Sequence, residues 1–127
     1  MKLLEIHIEA TDMKLSVEFY KSVLDYEKVM EFNDGKQAMF VMKDGCCFGI
    51  WEKEYLGLFD GRAAEHIHYA FQITPGDYQH IKEKLESLQV DISEHEWPDG
   101  QKSIYFFDPD GHQGEFMTKD WLGNTSL

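Results

Sequence analysis

The sequence has no apolar run long enough to cross a membrane. Its longer runs, such as Ala38–Met42, fall far short of the roughly 18 residues of a membrane-spanning helix. Basic residues are also scarce, because 12 Lys and Arg accompany 24 Asp and Glu and give a formal net charge of −12. An anionic surface repels nucleic acid and anionic lipid, so we expect neither nucleic acid nor a membrane as a partner.

Cysteine is scarce as well. Cys46 and Cys47 are the only two, and they are adjacent. Neighbouring residues of a strand point to opposite faces, so we do not expect them to form a disulfide with each other. This cysteine usage indicates a reducing, cytoplasmic location. The first ten residues carry Glu5 where a secretion signal is apolar, so no such signal is expected.

What the sequence does contain is enough apolar material for a core. Of its 127 residues, 43% are hydrophobic and 14% are aromatic. A chain of this length suits one domain, which we place at residues 1–127.

The first part of the chain has the pattern of a strand, a helix and three strands. Lys2–Ala10 alternates between apolar and polar residues, which predicts a strand. Asp12 is a good helix cap for a predicted helix over Asp12–Leu24. Asp-Gly pairs separate three further predicted strands, near Glu27–Phe32, Gln37–Lys43 and Cys46–Glu52.

The same order then repeats. Glu65–Thr74 alternates like the first strand, Pro75-Gly76-Asp77 begins a second predicted helix, and three strands follow near Asp91–Trp97, Lys102–Asp108 and Gln113–Thr118. Residues 1–56 and 64–120 therefore form an internal repeat, with a connecting loop between them. The predicted fold class is α+β.

Three stretches of sequence resemble the vicinal oxygen chelate superfamily. They are TDMKLSVEFYKSVL, IHYAFQI and SIYFFDPDGHQGEFMT, and the resemblance covers nearly the whole chain. It implies two βαβββ modules that form a cupped, half-open mixed β-barrel with the helices outside. It also implies a homodimer, as in many small members of this superfamily.

Polar residues on otherwise apolar strands are the candidates for chemistry. His68 lies between Ile67 and Tyr69, and Glu115 lies between Gly114 and Phe116. Glu5 and His7 share one face of the first strand. Imidazole and carboxylate are common ligands of divalent metals, although each residue alone is also typical of an ordinary buried histidine or a solvent-facing carboxylate.

The resemblance places His68 and Glu115 at the metal positions of the second module. In the first module it places the metal donor at Glu5 by register, while His7 offers the imidazole that the superfamily usually employs. The implied cofactor is a divalent ion such as Zn, Mn, Ni or Fe. Glu115 and Glu5 are the candidate catalytic carboxylates, one of them serving as general base.

The first module departs from the glyoxalase I pattern at Gly49. This residue occupies the counterpart of Glu115, where glyoxalase I has a fourth ligand, and glycine has no side chain to donate. A site with three protein ligands, or no metal at all, fits better. The candidate substrate-pocket residues are His66, Trp51, Tyr105 and Trp97, whereas Phe107 is assigned to the core.

Two functions follow from the resemblance. The first is a metal-dependent enzyme of the lyase, isomerase, transferase or dioxygenase type, related to glyoxalase and fosfomycin-resistance enzymes, that acts on a small molecule with adjacent oxygens. The alternative is a metal-free protein that binds a bleomycin-type antibiotic and confers resistance, since an acidic chain attracts cationic drugs.

Overall fold

A computed structural model describes residues 3–53, 68–120 and 122–127 of the chain. The chain divides into two compact units, Met1–Ala63 and Ala64–Leu127. Within the described residues, no helix is long and apolar enough to cross a membrane. The predicted loop at Lys53–Ala64 and the candidate residue His66 fall almost wholly outside the described residues.

The first unit contains one helix and a four-stranded sheet. Its elements are β1 (Glu5–Ala10), α1 (Met13–Val23), β2 (Tyr26–Phe32), β3 (Gln37–Met42) and β4 (Cys47–Glu52). The strand order is β1-β4-β3-β2. β1 runs parallel to β4, and the other pairs are antiparallel. The predicted order of elements is confirmed for this unit.

Helix α1 covers one face of this sheet. Asp12 caps the helix by accepting a hydrogen bond of 3.0 Å from the Leu15 backbone N–H. The Tyr20 side chain is fully buried, and its ring centroid lies 4.7 Å from that of Phe48 on β4. Ile8 and Ala10 of β1 are buried with them.

The opposite face of the first sheet is the polar face, which we define by Glu5, His7 and Glu9. Strand alternation places these three side chains away from buried Ile8 and Ala10. The parallel register pairs His7 with Gly49 and Glu9 with Trp51, so those two β4 residues also belong to the polar face.

The second unit repeats the arrangement. Its elements are β5 (His68–Gln72), a 3₁₀ turn (Pro75–Asp77), α2 (Tyr78–Ser87), β6 (Ile92–Glu96), β7 (Lys102–Phe107) and β8 (Gln113–Met117). The strand order is β5-β8-β7-β6, with β5 parallel to β8. The order of elements and the strand order are the same as in the first unit.

One face of the second sheet is aromatic. The rings of Phe106 and Phe116 stack with centroids 5.2 Å apart, and both side chains are buried. Gly114 lies beside Phe106, where an added Cβ would come within 2.6 Å of the ring. Phe107 points the other way and is 49% exposed, so its assignment to the core was wrong.

The predicted α+β class with two βαβββ modules is confirmed. The described strands form two separate four-stranded sheets, and these are not closed into a barrel. The physical reason is that the first strand of each unit pairs with the last strand of the same unit, which leaves the other side of that first strand as a sheet edge.

Replacing Tyr78 with Phe is expected to lower the free energy of unfolding near neutral pH by about 1 kcal/mol, since the acceptor of its hydrogen bond is charged but partly solvated. Lys82 and the Tyr78 hydroxyl each lie 2.7 Å from the Glu94 carboxylate. These bonds, that from Lys82 first, hold the pKa of Glu94 below its usual value.

This pKa shift fixes the pH dependence. A carboxyl whose pKa is lower in the folded state stabilises the fold above its unfolded pKa, and that stabilisation disappears as the pH falls through the folded pKa. The difference in the free energy of unfolding between wild type and Tyr78→Phe should therefore shrink in acid. Urea denaturation at neutral pH and at acidic pH measures this difference. The control is Tyr26→Phe, because the Tyr26 hydroxyl has no hydrogen bond within the described residues; an equal loss in both variants would contradict the prediction.

Candidate active site

Glu115 is the buried carboxylate of the second sheet. It lies in the middle of β8, where the register pairs it with Ala70 on one side and Tyr105 on the other. The residue is only 5% exposed. Since a carboxylate is rarely buried without partners, its surroundings are the first place to look for chemistry.

His68 and Glu115, both predicted metal ligands, lie close together. The Nε2 atom of His68 is 3.9 Å from Oε2 of Glu115, and the histidine side chain is 44% exposed. Two donors that each lie about 2.1 Å from one metal ion are about 3.0 to 3.4 Å apart at octahedral cis and tetrahedral angles. The His68–Glu115 separation is somewhat longer, so a small side-chain rotation would bring the pair to the spacing of two ligands of one divalent ion.

A chain of hydrogen bonds positions the Glu115 carboxylate. Ser103 is fully buried, and its Oγ accepts from Trp97 Nε1 at 3.3 Å and from Gln101 Nε2 at 3.4 Å. Ser103 is in turn hydrogen-bonded to the Tyr105 hydroxyl, which is hydrogen-bonded to Glu115. With both Ser103 lone pairs occupied, the serine proton is donated to Tyr105 and the tyrosine proton to the carboxylate.

The pKa of Tyr105 reflects the same arrangement. Burial raises it above its ordinary value, and the charge of Glu115 and the hydrogen bond to it raise it further. The phenol therefore remains a protonated donor to Glu115 over the whole physiological range. Tyr105 was predicted as a pocket residue; Ser103 was missed, although its alternation with Tyr105 on β7 was visible in the sequence.

A buried aspartate holds the turn that leads into β8. The Asp108 side chain is inaccessible to solvent, and its Oδ1 accepts the backbone N–H groups of Asp110 and His112 at 2.9 Å each. Its Oδ2 lies 2.9 Å from Nδ1 of His112. This network fixes the start of the strand that carries Glu115.

Glu5 and His7 lie together on the polar face of the first sheet. Oε2 of Glu5 is 3.5 Å from Nε2 of His7, and the two side chains are 53% and 27% exposed. Trp51 donates a hydrogen bond from Nε1 to Nδ1 of His7, with a separation of 2.5 Å. The indole of Trp51, predicted to line a substrate pocket, thus contacts the histidine directly.

Gly49 lies under the His7 ring. An added Cβ at Gly49 would come within 2.7 Å of Cε1 of His7 and within 2.9 Å of the Met39 sulfur. The position where a fourth ligand was considered therefore lacks both a donor and the space for one, because the imidazole fills it.

The predicted ligands thus form two pairs, one in each unit. In residues 3–53, 68–120 and 122–127, no three His, Cys, Asp or Glu side chains are grouped so that they could hold a metal ion.

Trp97, another predicted pocket residue, is 42% exposed and contacts the His95 ring, with ring centroids 4.3 Å apart.

Comparison with known proteins identifies the family. The family described as "Glyoxalase/Bleomycin resistance protein/Dioxygenase superfamily" matches residues 2–116. The chain belongs to this superfamily. The predicted resemblance to the vicinal oxygen chelate superfamily is thereby confirmed.

Superfamily members named as transferases are similar in sequence. The metallothiol transferase FosB of Staphylococcus saprophyticus is 31% identical over 110 residues, which cover 85% of this chain and 70% of that protein. The glutathione transferase FosA of Serratia marcescens is 25% identical over 115 residues, covering 85% and 74%. These names support an enzyme of this superfamily.

Solved structures of superfamily members share the fold. The lactoylglutathione lyase of Agrobacterium tumefaciens has a TM-score of 0.75 at 20% identity, covering 91% of this chain and 92% of that one. A mutant of the fosfomycin resistance protein FosX of Listeria monocytogenes, solved with Mn(II) and 1S,2S-dihydroxypropylphosphonic acid, has a TM-score of 0.70 at 23% identity, covering 91% and 87%.

Proposed function

We propose that this chain is a divalent-metal-dependent enzyme that acts on a small molecule with adjacent oxygens. The observation that carries the proposal is the His68–Glu115 pair, an imidazole and a buried carboxylate 3.9 Å apart, which a small side-chain rotation would bring to the spacing of two ligands of one ion. The Mn(II) bound to the related FosX protein supports a divalent ion. The proposed ligands are His68 and Glu115 of the second unit; Glu5 and His7 stay the predicted donors of the first unit.

The residues of the chain would have separate roles in the reaction. When bound, the metal would act as a Lewis acid that stabilises negative charge developing on the substrate oxygens. Tyr105 holds Glu115 in one orientation, and His68 lies at the solvent-exposed side of the pair. A carboxylate oxygen of Glu115 or Glu5 that is not coordinated would move a proton as general base.

The described side chains on the face of Glu115 carry no fixed positive charge. Within the described parts of β5, β7 and β8, the residues on the same face as Glu115 include no lysine or arginine; they are His68, Ala70, Gln72, Ser103, Tyr105, Phe107, Gln113 and Met117. Among these residues, a phosphonate such as the ligand of the related FosX structure would have the bound metal ion as its charge partner.

Metal analysis tests the proposal. After reconstitution with Mn, Zn, Ni and Fe separately, we expect about one bound ion per chain by elemental analysis, since the proposed ligands supply one site. His68→Ala should lose that ion, whereas His80→Ala, on the exposed side of α2, should keep it. Protein that holds none of the four ions after reconstitution would refute the metalloenzyme.

The second candidate is a metal-free protein that binds bleomycin-type antibiotics. Its support is the net charge of −12, which attracts cationic ligands. Titration calorimetry with a cationic glycopeptide separates the two candidates, because heat of binding by the metal-free protein is expected only for the second. Homodimerisation and a cytoplasmic location remain predictions, which sedimentation and cell fractionation would test.

A further inference from the structure

We propose that the second unit carries a binding site for a small oxyanion, the phosphate or carboxylate group of a small molecule, in a pocket beside the start of α2. The pocket has a volume of about 300 Å³, at the small end of the range for ligand sites. We call it the basic pocket, and its lining includes Tyr78, Gln79, Lys102, Thr118, Lys119 and Thr125. The proposal goes beyond the metal-dependent function and does not depend on it.

The basic pocket lies on the aromatic face of the second sheet. Lys102 alternates on β7 with the fully buried residues Ile104 and Phe106, so the three side chains leave the strand on one side. Tyr105 leaves it on the other side, together with its cross-strand partner Glu115. The pocket is therefore separate from the candidate active site.

The lining of the basic pocket is positively charged, although the chain is acidic. The sequence has 24 acidic and 12 basic residues, yet among the described residues the lining contains Lys102 and Lys119 and no Asp or Glu. Asp99 offsets the charge of Lys119, because its Oδ2 lies 3.2 Å from Nζ. Lys102 makes no ion pair with any described residue, although Glu96 is its cross-strand neighbour. The Lys102 ammonium is therefore available to an anion.

Tyr78 holds this ammonium group in place. Nζ of Lys102 lies 5.6 Å from the centroid of the Tyr78 ring, within the distance of a cation–π contact. The ring is fixed in turn, because the Tyr78 hydroxyl donates a hydrogen bond of 2.7 Å to Glu94. A cation held by the face of a ring keeps its N–H donors for a ligand.

Thr118 adds a buried donor. The residue is only 4% exposed, and its Oγ1 accepts a hydrogen bond of 2.9 Å from the Lys102 backbone N–H. No described residue accepts the proton of the Thr118 hydroxyl. A buried donor without an acceptor costs free energy, and an oxygen of a bound ligand would satisfy it.

The donors of the basic pocket select the class of ligand. Ammonium groups can only donate hydrogen bonds, and the Thr118 hydroxyl has a proton to donate. Phosphate and carboxylate oxygens accept such bonds, and their charge strengthens them. Either group fills only part of the pocket, which leaves room for a small organic group beside Pro75 and the Tyr78 ring.

Titration with inorganic phosphate and, separately, with acetate tests the site, with ¹H–¹⁵N NMR as the readout and chloride keeping the ionic strength constant. We expect saturable shifts of the backbone amides of Gly100, Lys102 and Lys119. Saturation by phosphate alone would assign a phosphate group to the ligand, and saturation by acetate alone a carboxylate. Lys102→Gln should weaken binding by about tenfold or more, since it removes a charged hydrogen-bond donor. Lys84→Gln makes the same change of charge on α2 outside the pocket and should bind as wild type does.

Thr118 provides a second pair of variants. Thr118→Val should weaken binding by about fivefold, whereas Thr118→Ser, which keeps the hydroxyl, should retain it. Because Thr118→Val also removes the acceptor of the Lys102 N–H, Lys102→Gln decides if that variant does not fold. His68→Ala should bind both anions as wild type does, since the pocket is separate from the proposed metal ligands. The proposal is wrong if neither anion gives saturable shifts, if Lys102→Gln and Lys84→Gln weaken binding equally, or if His68→Ala abolishes it.

Discussion

Replacing Glu115 with Gln is expected to weaken divalent-metal binding by at least about 100-fold, since it removes a charged ligand rather than a supporting partner. The substitution keeps the size of the side chain and leaves a carbonyl oxygen to accept the hydrogen bond from Tyr105. The loss should therefore come from charge alone and not from a collapsed site. Titration calorimetry with Mn(II) measures it.

The same variant should not lose stability when metal is absent. Glu115 is 5% exposed, and burying a carboxylate costs free energy that its one tyrosine and one histidine neighbour offset only in part. We expect metal-free Glu115→Gln to be as stable as wild type or more stable by about 1 kcal/mol. Such a gain would indicate that the carboxylate is kept for function at the expense of stability.

Glu96→Gln is the matched control for this prediction. Glu96 is an exposed glutamate on β6 of the same sheet, so its substitution makes the same change of charge outside the pair. It should leave metal affinity unchanged. Equal losses in the two variants would show that long-range charge explains the effect and that Glu115 is no ligand.

The second large effect concerns the aromatic face of the second sheet. Phe106→Ala is expected to lower the free energy of unfolding by about 4 kcal/mol, because it opens a cavity in a packed core. The side chain is fully buried, stacks on Phe116 and lies against Gly114. Urea denaturation followed by circular dichroism gives the value.

Phe107→Ala provides the comparison at the neighbouring position. Phe107 is 49% exposed on the other face of the same strand, and its loss should cost less than about 1 kcal/mol. If the two alanine variants are equally destabilised, Phe106 does not carry the core of this unit in the way that the structure indicates.

The outcome for these two phenylalanines shows where sequence patterns stop being informative. The strands were predicted correctly because polar and apolar residues alternate in β1 and Asp-Gly turns separate the hairpins. In β7, however, both faces carry apolar residues, so alternation cannot assign Phe106 and Phe107 to their sides. Only the pairing of Phe106 with Gly114 and of Phe107 with Gln113 on β8 decides it.

The His68–Glu115 pair was accessible from sequence because both residues fall on motifs that the superfamily shares. The contacts of the His7 ring were not accessible. They include a hydrogen bond from Trp51, which is 44 residues away and reaches His7 only through the parallel pairing of β1 with β4. Local patterns carry no signal for a contact of this kind.

Gly49 shows how the two halves of the chain differ at equivalent positions. Its counterpart in the second half is Glu115, and the strand opposite that glutamate presents Ala70, whereas the strand opposite Gly49 presents His7. In the first half the larger side chain is on the first strand and the smaller residue on the last, whereas in the second half the order is reversed. Mutations at these positions are consequently epistatic, because a larger residue at 49 is accommodated only after the ring at 7 has been lost.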